Sequence, residues 1–340
     1  MPLNYYQGVT HDDDGNVYFD GVFKGLYRTN TKLKESARNE DVIDPGAQSD
    51  PGFNHIGDIT WDPTEGGRIV LPLECYDSQK DPSNTCGVGG FGIAGPATLR
   101  WKYWVKLDPA DIPKAMWAET SPDGKLIWTS SGNDLLAYST SDVVSGNAQP
   151  AGPAIRPVKR LVGAVPAHGI TGATFVGARL FVAGQDGDRF QVSSIDLTSG
   201  TARAEIKETI NGESEGLDTF SGLGGNLHWM VMPLSSTGPP TFDKDKGSLL
   251  HYKAKATALD LTATPRAVKA GRSTRFSFRV ADDNGDPVKG ALVKFGKRSA
   301  RTDARGRAKI TATLPKAGRY TAVATKRGLK TAKAVVRSSS

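Results

Sequence analysis

The chain has 340 residues, enough for two domains with sizeable cores. Its 39 Gly and 20 Pro favour turns over long helices, and no apolar run reaches the length of a membrane span, so no membrane-crossing helix is expected. The net charge of +7 is unevenly spread: 20 basic against 5 acidic residues from Ala258 onward (+15), and 23 basic against 31 acidic before it (−8). Two units with different surfaces are expected, residues 1–254 and 255–337, with a tail at 338–340.

In chain order, the start Met-Pro-Leu-Asn-Tyr-Tyr has no basic region followed by an apolar one, so no leader is read there. Gln7-Gly-Val-Thr-His-Asp then opens a pattern that recurs. A short strand is followed by a turn rich in Asp, Gly or Asn, and then by a second, apolar strand such as Val17-Tyr-Phe-Asp. This is the pattern of a hairpin. The second copy runs from His55-Ile-Gly-Asp-Ile-Thr-Trp-Asp to Arg68-Ile-Val-Leu-Pro-Leu.

Cys75 and Cys86 follow in a polar loop. Their spacing is not Cys-x-x-Cys, and four metal ligands are not at hand. A disulfide closing the loop is the simplest reading, and two unrelated buried thiols are the alternative. A disulfide would point to an oxidising compartment, hence a secreted or cell-surface protein.

Leu99–Leu107 carries Trp101-Lys-Tyr-Trp-Val, in which alternation places Trp101 and Tyr103 on one face and Trp104 on the other. Its place is open: it belongs to an extra blade or enlarges a neighbouring one. The third copy is Trp117-Ala-Glu-Thr-Ser to Leu126-Ile-Trp-Thr-Ser. The fourth opens at His168-Gly-Ile-Thr-Gly-Ala-Thr-Phe-Val, and the fifth runs from Glu215-Gly-Leu-Asp-Thr-Phe to Leu227-His-Trp-Met-Val. Gly8, Gly57, Glu119, Gly169 and Gly216 recur about every 50 residues, and no stretch keeps a helical period. This predicts an all-β chain whose first unit is a β-propeller of five blades, with six as the alternative. Leu3–Tyr6 is expected to help close the ring.

The segments Gly-Val-Thr-His-Asp and Glu-Thr-Ser-Pro-Asp-Gly-Lys-Leu-Ile-Trp resemble the broad propeller superfamily of gluconolactonase-like, streptogramin-lyase-like and quinoprotein-dehydrogenase-like proteins. The resemblance implies the fold and suggests calcium as cofactor, although the inward Asn residues of the gluconolactonase type are not evident here. It does not fix the reaction.

After residue 254 come short strands at Ser273–Val280, Ala291–Phe295, Ala308–Leu314, Tyr320–Thr325 and Thr331–Val336. Their spacing predicts a small antiparallel sandwich. Asp286-Pro-Val-Lys-Gly-Ala-Leu-Val and Thr302-Asp-Ala-Arg-Gly-Arg-Ala-Lys-Ile-Thr resemble bacterial Ig-like domains of the invasin or carboxypeptidase-regulatory type, which implies an extracellular spacer or adhesion module. The basic surface suits contact with an anionic polymer or is simply solvated. Phe276, Phe278, Phe295 and Tyr320 read as core, which leaves no stacking platform for nucleic acid.

Candidate functional residues cluster at blade starts, because the first strand of each blade lines the channel. His11, His55, Asp58, Glu119, His168, Glu215 and Asp218 are expected to converge there. His168, Glu215, Glu119 and His55 are candidates for proton transfer. Asp58, Asp218 and His11 are candidates for ligand binding, and Glu215, Asp218 and Glu119 for holding a cation. The alternative for each histidine is a ring bonded to a neighbouring loop, and for each carboxylate a loop cap or surface ion pair. The expected function is an extracellular, monomeric propeller that binds a small or carbohydrate ligand at the channel mouth, with metal-assisted hydrolase or lyase chemistry. A non-catalytic recognition or adhesion protein, with the Ig-like domain as stalk, is the rival.

Overall fold

The computed structural model describes residues 5–21, 24–75, 86–145, 153–220, 222–223, 226–233, 247–253, 256, 258–282 and 285–339. The chain divides into two compact units, Met1–Tyr252 and Lys253–Ser340.

In the first unit the hairpins fold into five successive antiparallel sheets among the described residues. The first comprises Val9–His11, Asn16–Asp20, Leu26–Asn30 and Glu35–Asn39. In the second, His55–Ile56 and Thr60–Asp62 both pair with Arg68–Glu74, which continues to Gly90–Ala94 and Trp101–Lys106. The third holds Glu119–Thr120, Leu126–Ser131, Asp134–Ser139 and Lys159–Leu161. Gly172–Val176, Arg179–Asp186, Arg189–Ile195 and Ala202–Thr209 make the fourth, and Gly212–Asp218, Leu227–Pro233 and Ser248–Tyr252 the fifth.

Alternation along the second strands explains how the sheets pack. Successive side chains point to opposite faces, so each sheet contributes to two cores. Tyr18 packs with Ile69 and Leu71 of the second sheet, while its neighbours Val17 and Phe19 pack with Met230 of the fifth. Val70 turns to Ile127 and Leu136 of the third sheet. Trp128 and Leu135 meet Leu180 and Val182 of the fourth, and Ala183 meets Trp229 and Val231 of the fifth. Each sheet thus packs on the next, and the fifth packs on the first. The result is a β-propeller-like ring.

Trp101–Lys106 is the outer strand of the second sheet, so the Trp-rich segment enlarges that sheet. The expected alternation fails there. A bulge between Ile93 and Ala94 sets Ala94 opposite Trp101 but Ile93 opposite Tyr103. The extra residue puts Trp101 and Trp104 into the same core, with Tyr103 in the next. At the start of the chain, Leu3 and Asn4 lie outside the described residues. Tyr5 stacks on Phe19 at 4.9 Å, and the Gln7 carbonyl accepts the Gly216 N–H of the fifth sheet. Cys75 and Cys86 are joined by a disulfide, with Cα atoms 5.4 Å apart.

Among the described residues the second unit has two sheets, of three and five strands, facing one core. Leu261, Phe276, Phe278 and Ile310 from one sheet meet Val293, Phe295, Ala322 and Val336 from the other. Residues 338–339 are not a tail. Ala332–Ser339 is a strand whose Ser338 pairs with Gly318 and Val268, so the ladder runs on past residue 337.

Candidate functional site

The five inner strands approach most closely at a waist of glycines. A Cβ at Gly216 would lie 2.5 Å from Asp58 Oδ1 and 2.8 Å from Gly8 Cα, and one at Gly172 would lie 2.5 Å from the Glu215 carbonyl oxygen. No side chain fits between strands this close. In the fourth sheet the waist residue is Gly172, not Gly169, which sits in the preceding turn.

Asp58 fastens this waist. Its Oδ1 accepts the Val9 N–H at 3.0 Å. Its Oδ2 accepts the N–H groups of Ala173 at 3.0 Å and Leu217 at 3.3 Å. Its own N–H donates to the Met116 carbonyl, and its carbonyl accepts the Ala118 N–H, both at 3.0 Å. One residue of the second sheet therefore bonds to inner segments of the other four. It is 1% exposed, so Asp58 is occupied by backbone rather than open to a ligand.

Beyond the waist, the strand ends form a polar mouth. His11 Nδ1 lies 2.9 Å from Asp218 Oδ2. Glu119 Oε1 accepts the Phe175 N–H at 3.0 Å, and Thr60 Oγ1 donates to Glu119 Oε2 at 2.8 Å. These groups, with Thr10, Trp61, Thr120 and Thr174, line a cavity of about 280 Å³. Burial pushes the Glu119 carboxyl up to about 8, with the Asp218 charge adding to it. For His11, burial favours the neutral ring, but the charge and hydrogen bond of Asp218 outweigh it and raise the imidazole to about 9. At neutral pH the mouth thus presents a protonated carboxyl beside an imidazolium–carboxylate pair.

The other predicted residues lie elsewhere. Glu215 precedes the waist and Asp218 follows it, so their side chains sit among different neighbours. Burial drives the Glu215 carboxyl well up, followed in effect by the charges of Glu213, Asp20, Glu74 and Asp58. His55 Nε2 is 3.3 Å from Glu74 Oε1, and Lys114 Nζ is 3.0 Å from Glu74 Oε2. His168 is buried against the fourth sheet, its Nε2 3.0 Å from the buried Ser193 hydroxyl. The expectation that all seven residues converge on one face is therefore corrected. His11, Glu119 and Asp218 meet at the mouth, Asp58 bolts the waist, Glu215 and His55 belong to the region before it, and His168 sits in the turn before the fourth sheet, lining cavities other than the mouth. The physical reason is that a strand advances about 3.3 Å per residue, so positions three apart occupy different levels of the channel.

The calcium implied by the propeller resemblance does not fit these residues. Calcium takes six to eight oxygen ligands. Glu119 has both oxygens in hydrogen bonds, Asp218 is held by His11, and Glu215 has other neighbours. Among the described residues, no three acidic, histidine or cysteine side chains are grouped to hold an ion. The sequence patterns did not single out Thr10, Thr60 and Thr174. The repeated Gly-Val-Thr10 and Gly-Ala-Thr174 were the available signal, because both threonines stand two residues past a waist glycine.

No protein-family model matches this chain, and no curated protein matches it. Among solved structures, a chain in the crystal structure of the mitotic checkpoint complex is similar at a TM-score of 0.37 and 10% identity, over 98% of this chain and 87% of that one. A likeness this low carries no argument, and the propeller-like assignment rests on the sheets and cores themselves. Among the described residues, no helix is long and apolar enough to cross a membrane.

Proposed function

We propose that the first unit is a five-bladed propeller of a secreted or cell-surface protein. Its mouth binds a small hydroxyl-rich ligand, a sugar or sugar lactone, and acts on it by hydrolase or lyase chemistry, and the second unit is a bacterial Ig-like spacer. The observation that carries this reading is that His11, Glu119 and Asp218, from the first, third and fifth sheets, line one cavity with a threonine-rich wall. Hydroxyl and carboxyl groups match the donors and acceptors of a sugar. The Cys75–Cys86 disulfide supports the extracellular assignment.

In this reading Glu119 is the general acid. Held up to about 8, it keeps its proton at neutral pH and passes it to the leaving-group oxygen as that oxygen's bond to carbon breaks, while a water molecule forms the new bond to that carbon and gives its proton to the solvent. Asp218 orients the His11 imidazolium, which donates a hydrogen bond to negative charge developing on the ligand.

A panel of p-nitrophenyl glycosides and sugar lactones tests the proposal. At least one member is expected to be turned over, with a rate that falls above pH 8 as Glu119 loses its proton. Glu119→Gln is expected to lower kcat by roughly 10²–10⁴-fold. Binding without turnover, abolished by the same substitution, would assign the mouth to recognition alone. Neither binding nor turnover across the panel would remove the proposal.

A further inference from the structure

One outer surface of the second unit carries positive charge alone. Its five-stranded sheet is ordered Ala267–Lys269, Ala332–Ser339, Gly318–Thr325, Leu292–Phe295 and Arg298–Arg301. No Asp or Glu occurs in these five strands. Alternation sends Phe295, Ala322, Ala324 and Val336 to the core. It sends Lys269, Lys294, Arg301, Arg319, Lys333 and Arg337 to the other face, and all six are exposed.

The register sets these cations in an ordered array. Arg337 stands directly opposite Arg319, and Lys333 and Lys294 flank Val323 from its two sides. Arg337 and Lys333 lie about 13 Å apart along one strand, and Lys333 and Lys294 about 10 Å apart across two strand spacings. Like charges directly opposite one another destabilise a strand pair. Among the described residues none of the six belongs to an ion pair; those of this unit join Arg307 to Asp303 and Lys253 to Asp286. The outer face of the three-stranded sheet differs, because Asp260 is exposed on it and Arg307 is held by Asp303. The repulsion on the five-stranded face is therefore left for an external anion to relieve.

Three features select the anion. Ser299, Thr321 and Ser339 are exposed on the same face, so hydroxyls stand between the cations. The aromatic side chains of these strands, Phe295 and Tyr320, pack on the core, which leaves nothing for bases to stack on. The one large apolar side chain exposed there is Val335, at 38%, too little to enter a bilayer. We propose that this face docks an acidic polysaccharide. Its uronate carboxylates pair with the arginines and lysines, and its hydroxyls bond Ser299, Thr321 and Ser339. The second unit would then hold the chain on its polymer, a role that does not depend on the mouth.

The test measures binding of the full chain to polygalacturonate at pH 7, with neutral dextran, duplex DNA and phosphatidylglycerol vesicles as comparisons. Polygalacturonate is expected to bind, and to bind more weakly as sodium chloride screens the charges. Arg319→Ser/Arg337→Ser removes two exposed side chains, so its melting temperature is expected to match the native chain while its affinity falls at least tenfold. Arg275→Ser/Arg279→Ser removes the same charge from the exposed face of the other sheet and is expected to change affinity less than twofold. Equal losses in the two variants would assign binding to net charge and overturn the proposal. So would no binding of polygalacturonate, equal binding of dextran, or tighter binding of the DNA or the vesicles.

Discussion

At the scale of single residues, Asp58 and Glu119 illustrate opposite uses of a buried carboxyl. Asp58 is fully engaged by three backbone N–H groups, and removing it orphans all three inside the ring. Each buried unsatisfied donor costs about 1–3 kcal/mol. Asp58→Ala is therefore expected to destabilise the first unit by at least about 3 kcal/mol, read from the denaturant midpoint of tryptophan fluorescence. Glu119 keeps a titratable role, and its sign sets a second expectation. Its folded pKa of about 8 lies above the ordinary 4.5, so the fold favours the protonated form. That contribution is fully present below pH 4.5 and is lost as pH rises through about 8. His11, raised from 6.5 to about 9, contributes fully below 6.5 and loses its share through about 9. Glu74, pushed up by burial to about 7, loses its share between 4.5 and 7. The first unit should melt at steadily lower temperature from pH 5 to pH 9. Glu119→Gln should flatten the part of that slope between 4.5 and 8, and a melting temperature that rises with pH would contradict the assignment.

At the scale of elements, strands and turns follow from local chemistry, but the faces they present do not always. The run Trp101-Lys-Tyr-Trp keeps its strand, yet one extra residue at the bulge moves Trp101 to the side opposite the one alternation assigns. The inner strands show the same limit. Glu215 and Asp218 are three residues apart, yet the Gly216 waist divides their surroundings. The loop between Arg68–Glu74 and Gly90–Ala94 is held by a cross-link the sequence suggested. Opening the Cys75–Cys86 loop, with a separation of 11 residues, is expected to cost roughly 2–3 kcal/mol in the loop-entropy model. Cys75→Ser/Cys86→Ser measured against the native chain in urea checks this, and an unchanged midpoint would show that the disulfide does not constrain the unfolded chain.

At the scale of the whole molecule, the ring and the two-sheet unit have separate cores, and all six tryptophans lie in the first unit. Phe276 is fully buried beside Phe278 and Phe295. Phe276→Ala is expected to cost about 3–5 kcal/mol. It should lower one calorimetric transition while the tryptophan-fluorescence transition stays in place, and a shift of both would show coupled unfolding. The sequence by itself determined the all-β character, the hairpin repeat, the charge break between units and the cysteine pair. All of these are carried by neighbouring residues: period-two alternation, turn residues and composition. Only the tertiary structure decided which polar residues share a level of the channel. It brought His11, Glu119 and Asp218 from three sheets to one mouth, spent Asp58 on the backbone of the ring and set His168 beside the fourth sheet, lining cavities other than the mouth. Such choices depend on where strands distant in sequence come to lie against one another, and a waist too narrow for a Cβ sorts side chains by position along the axis, a quantity no local pattern encodes.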